Sequence, residues 1–149
     1  MTEWWNQLEG GKRQSVVETW VSNPGATSSP IDQLAQKFGS RLPDQYIEWM
    51  RQSDGARISH YHLWPIDVVL EDGYGAHEFG PHLVFFGTNG CGELFAFDER
   101  GLPGEVSMVH SVSNWKTDVV VIAVSFPHFL ARVERAANTQ SYSLLTRDW

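Results

Sequence analysis

The chain has 149 residues, 42% of them hydrophobic, with seven Trp and eight Phe, a composition that supports a folded core in one domain of ordinary size. Its formal charge of -7 disfavours a nucleic-acid binder, which needs a basic footprint to displace counterions from phosphates, and suits a basic protein partner. No run approaches the ~20 apolar residues of a membrane span. Met1 to Trp5 carries no signal-like segment, and the single cysteine, Cys91, cannot close an internal disulfide, so a cytoplasmic protein is expected.

Taken in order, Trp4, Trp5 and Leu8 share one helical face, and Gly10-Gly11 interrupts it. Val16, Val17, Trp20 and Val21 then recur at helical spacing. After a polar connector from Asn23 to Ser28, Ser29 is expected to cap a helix, with Pro30 at its first position and Asp32 completing a capping box. Ile31, Leu34, Ala35 and Phe38 form its inner stripe, and Gly39 supplies the stop. Leu42-Pro43-Asp44 opens a further helix, with Tyr46, Ile47 and Met50 inward and Trp49 at the margin, ending at Ser53-Asp54-Gly55.

From Arg57 the period becomes two. Ile58, His60, His62 and Trp64 alternate with Ser59, Tyr61 and Leu63, as in one half-buried strand. Pro65 to Leu70 follows, then a Gly-, His- and acid-rich loop from Glu71 to His82. Leu83 to Asp98 reads as two apolar strands joined at Asn89-Gly90, a pair that accepts positive φ. This hairpin is expected in the middle of a sheet. Arg100 to Gly104 is another turn, and Val106, Met108 and His110 alternate with Ser107 and Val109. Val119 to Val124 is a short central strand or the lead-in to a helix. Ser125 caps the closing helix, with Phe126, Phe129, Leu130 and Val133 on its inner face. Helices, then strands, then a closing helix define an α+β fold with a central, mostly antiparallel sheet, in a single domain over residues 1–149.

Several residues invite chemistry. His60-x-His62 on one strand face offers two imidazoles to a zinc, with His77, Glu78 or His82 as a third ligand. Structural zinc wants four well-placed ligands, so hydrogen-bonded or exposed histidines are the favoured reading. Cys91, between two glycines, has six histidines available as a base, yet spacing supplies no oriented third group; a small residue in a tight turn is favoured. Gly87-x-x-Gly90-x-Gly92 neither continues as a phosphate loop nor opens a helix. Neither a catalytic residue nor a cofactor is expected. Glu71, Asp72, Glu78, Glu93, Asp98 and Glu99 all fall in the sheet half. With exposed Trp64, Tyr74 and Phe79 they make a candidate interface for a basic partner, since aromatic anchors with a charged surround are how such interfaces are built. A merely solvated acidic rim is the competing reading.

The order of motifs resembles one family. Ile31-x-x-Leu34, Gly39-x-x-Leu42-Pro43-x-x-Tyr46, Asp54-Gly55, Gly87-x-Asn89-Gly90-x-Gly92-Glu93 with Asp98, and Ala123-x-Ser125-Phe126-x-x-Phe129-Leu130 together resemble the SUKH superfamily, over about Ile31 to Val133. That superfamily includes bacterial immunity proteins and fungal cell-wall-synthesis regulators. The resemblance implies an α+β fold, a binding surface on the sheet and no catalytic residues. It also implies a role as an immunity protein that neutralises a toxin, often a nuclease, with a regulatory scaffold as the alternative.

Overall fold

The computed structural model describes residues 21–71 and 80–138. Among these residues seven strands form one antiparallel sheet in strict chain order. They are β1 (Val21–Ser22), β2 (Ala56–Ile58), β3 (Tyr61–Leu63), β4 (Leu83–Thr88), β5 (Glu93–Asp98), β6 (Val106–His110) and β7 (Val120–Ala123). Four helices accompany them among the described residues: α1 (Ser28–Phe38), α2 (Asp44–Gln52), the one-turn α3 (Ile66–Leu70) and α4 (Phe126–Asn138). The fold is α+β, with the closing helix where the sequence placed it.

Aromatic packing holds α2 and α4 against the sheet. Tyr46 of α2 meets Phe86, Phe97 and Phe126 at ring-centroid distances of 5.5, 5.1 and 5.1 Å. Phe129, one turn along α4 from Phe126, contacts Phe86 and Phe95 edge-on. Phe85 lies on the other face of the sheet, sharing it with its cross-strand partner Ala96, and Trp115 covers it edge-on at 5.0 Å. Both faces of the central hairpin are therefore dry, and Leu94 to Phe97 are all buried. Val84 and Phe86, two apart, share the helix-covered face with Phe97, and the register of β4 against β5 shifts at Phe86, so that Gly87 rather than Phe86 stands opposite Phe95.

The helix-forming signals were largely legible, with local corrections. Gly39 ends α1 at φ 57°, its N–H donating to the Ala35 carbonyl. The cap position is Thr27 rather than Ser29, and no side chain caps it. Ala35 faces solvent, because the helix turns only Ile31, Leu34 and Phe38 inward. In α2, Trp49 is buried with Tyr46 and Met50 while Ile47 is marginal, since Trp49 packs on Phe126 at 5.6 Å. Ser125 does cap α4: its Oγ accepts from the His128 N–H at 3.2 Å.

Three strand expectations change. Val21 belongs to an edge strand paired with β2, not to a helix. The helical pattern from Trp4 to Trp20 lies outside the described residues. The span from Arg57 to Trp64 is two strands, folded back at Ser59-His60, with Ile58 opposite Tyr61. Ser59 adopts φ 53°, the left-handed region, and this is what permits the reversal. Val120–Ala123 is a strand, but at the sheet's edge rather than its centre.

Candidate partner-docking surface

The β5–β6 connection is braced by side chains at both ends. The Arg100 guanidinium donates to both oxygens of Asp98, from Nε at 3.2 Å and from Nη2 at 3.1 Å, and its backbone N–H donates to Asp98 Oδ1 at 2.9 Å. Nη1 of the same side chain reaches the Lys116 carbonyl at 3.0 Å. On the far side of the turn, the Leu102 N–H donates to Glu105 Oε1 at 2.8 Å, and the Glu105 N–H returns to the Leu102 carbonyl at 3.2 Å. Gly104 takes φ 84° within the turn, the left-handed region that favours glycine. The result is a fixed loop that holds Leu102 out, 70% exposed.

Between this turn and the segment entering α2 runs a groove of about 350 Å³, walled by Asp98, Glu99 and Glu105 on one side and by Arg41 and Pro43 on the other. Arg41 is itself anchored. Its Nε lies 3.4 Å from Glu99 Oε2, its Nη2 donates to the Pro81 carbonyl at 2.6 Å, and its guanidinium sits 5.7 Å from the Phe38 ring centroid. Burial would raise the Asp98 pKa, but the Arg100 hydrogen bonds and charge outweigh it and hold the carboxyl below the usual range. Three carboxylates thus face two guanidiniums, Arg41 and Arg100, leaving a modest negative excess beside an exposed leucine.

The sequence-derived interface residues divide. Asp98 and Glu99 come together in this groove. Glu93 begins the strand that Asp98 ends, so about 17 Å of extended chain separates them. Its carboxylate braces the opposite turn, accepting from Asn89 Nδ2 at 2.7 Å. Glu71 is exposed just beyond α3. Trp64, expected to be an exposed anchor, is a core residue at 7% exposure, its N–H donating to the Phe86 carbonyl. Asp72, Tyr74, Glu78 and Phe79 lie outside the described residues. Leu102, Glu105 and Arg41 were not anticipated. A lone leucine inside a Gly/Pro turn was the available signal for the first. The others depend on chain closure that spacing does not reveal.

At the opposite end of the sheet stand His60, His62 and Cys91, whereas His82 lies at the groove end, its carbonyl accepting from the Glu99 N–H at 2.9 Å. His60 occupies the β2–β3 turn and stacks on Tyr61 at 4.4 Å, while His62 is in β3. The two histidines therefore do not share a strand face as expected. Burial lowers both pKa values, with Arg57 adding to the effect at His62. His82 is buried and hydrogen-bonded through Nε2 to the Trp115 carbonyl at 2.9 Å, and His77 lies outside the described residues. Among the described residues no three His, Cys, Asp or Glu side chains are grouped to hold a metal. Cys91 is exposed at the hairpin tip. Tyr61 beside it has its pKa pushed up to about 12, by burial first and then by Glu93 and Cys91, with Arg132 opposing. No helix among the described residues is long and apolar enough to cross a membrane.

A meandering antiparallel sheet with α2 and α4 packed on one face defines an α+β fold. The model of the SMI1 / KNR4 family (SUKH-1) matches residues 25–132, and the chain belongs to that family. A search of curated proteins gave no match. Membership is consistent with an immunity or regulatory protein.

Proposed function

We propose that this chain is an immunity protein that binds a cognate bacterial toxin, a nuclease with a basic substrate groove, and neutralises it by occlusion in a stoichiometric complex. Membership of the SUKH-1 family carries the reading. The charge of -7 supports a basic partner, since opposite charge speeds encounter and fixes orientation. The docking face of this reading is the Asp98–Glu105 end of the sheet, supported by Leu102 as an exposed apolar anchor beside acidic side chains. Glu71, exposed after α3, is a further acidic contact in this reading. The protein acts in the cytoplasm as a single domain, without turnover.

Co-expression tests this. The chain should rescue growth of cells making the toxin encoded beside its gene, and purified protein should inhibit that nuclease at equimolar ratio, with association slowing as salt rises. Failure to bind or protect against that toxin sinks the reading. Recovery of many cell-wall or signalling proteins in its place supports the family's regulatory branch.

A further inference from the structure

The two outer strands of the sheet are protected very differently. Among the described residues β1 comprises Val21–Ser22, leads into Asn23-Pro24, and is pinned where Asn23 Nδ2 donates to the Asp54 carbonyl at 2.8 Å. A short strand beside a proline is a poor template for further pairing. β7 sits in the run Val119-Val120-Val121-Ile122-Ala123-Val124, which contains no charge, proline or glycine. Val120, Val121 and Val124 are 45%, 36% and 58% exposed, and among the described residues β7 has one strand neighbour, β6.

We propose that β7 pairs with β7 of a second copy of this chain, antiparallel about a two-fold axis, extending the sheet across both protomers. The register follows from the irregularity at Ile122. Val120 pairs with Met108 and Ala123 with Val106, so Val120 and Ala123 share a sheet face although three apart. Setting Val120 opposite Ala123 of the second copy therefore matches faces, and it places Val119 opposite Val124. Every directly opposed pair inside the run is apolar. At its ends Asp118 comes opposite Ser125 of the second copy. Ser125 caps the N-terminal, positive end of α4, where a carboxylate is favoured. Self-pairing thus brings complementary rather than like charge together at both ends. Arg132 of α4 donates to the carbonyl of the bulged Ile122 and the Val124 N–H donates to His128 Nδ1 at 3.1 Å, so both groups are satisfied within each protomer and apolar side-chain contact carries that half of the pairing.

Sedimentation velocity of the full chain across a wide concentration range tests the pairing. A concentration-dependent dimer is expected, weakened roughly tenfold or more by Val121→Lys. Val124→Lys, at a more exposed position outside the strand, should act likewise without touching the core. Val112→Lys, 85% exposed in the β6–β7 connection, should leave it intact. A monomer at every concentration overturns the proposal. So does a dimer that survives both valine substitutions while their far-UV spectra and melting remain native.

Discussion

The two ends of the central hairpin use the same residue types for opposite purposes. At the β4–β5 turn the acid and amide are turned inward. Asn89 is fully buried, its Oδ1 accepts from the N–H groups of Cys91 and Glu93 at 2.9 and 3.3 Å, and its Nδ2 holds Glu93. At the β5–β6 end the carboxylates are held by surface arginines, and the loop they brace projects a leucine into solvent. Polar groups that replace missing backbone partners stabilise a fold. Exposed ion pairs contribute little to it and remain available to a partner. Substituting at the two ends should therefore separate folding from binding.

The largest expected effect is at the inward end. Asn89→Ala strands the backbone donors of Cys91 and Glu93 and should cost about 2–3 kcal/mol, read by urea denaturation. An unchanged midpoint would mean that the turn is closed by its glycines alone. Nearby, Ser59→Gly should stabilise by about 1 kcal/mol, because it relieves a non-glycine residue at φ 53°. A loss would show that the Ser59 hydroxyl, 3.2 Å from His60 Nδ1, matters more than the backbone.

The outward end should respond to pH before it responds to mutation. The Asp98 pKa lies below its unfolded value, so its stabilisation is present above the ordinary aspartate range and is lost as pH falls through the folded pKa. Asp98→Asn should thus unfold more readily than the parent at neutral pH, with the two curves converging under acid. Parallel curves throughout would contradict the Arg100 interaction. Smallest of all, Glu99→Ala and Glu105→Ala should change stability by no more than about 0.5 kcal/mol, with the loss appearing instead in the association rate with the toxin.

Much of the fold was legible because local and tertiary preferences agree. The apolar runs around Asn89-Gly90 are a hairpin, although Asn89 acts through its side chain and the positive φ values belong to Gly90 and Gly92. The His60-x-His62 strand was misread because the period-two pattern continues straight through the β2–β3 turn, and Ser59 gives no glycine-like warning that the chain reverses there. Residue type alone suggests an exposed anchor at Trp64, whereas its place beside β4 buries it. The groove was only half visible. Asp98 and Glu99 are neighbours in sequence, but Arg41 reaches Glu99 from far up the chain, and no spacing rule announces such a contact.

Strict chain-order pairing also has a kinetic consequence. Each strand hydrogen-bonds to the next, so nearly every closure along the sheet is local and entropically cheap, which favours rapid formation. Packing α4 over α2 is different, since Phe126 must return to Tyr46 across the whole meander. On a ribosome, the sheet strands therefore emerge and zip in sequence while Phe86, Phe95 and Phe97 still await Phe126 and Phe129. Substitutions at those two rings should accordingly act mainly on the unfolding rate, leaving the early folding rate near that of the parent.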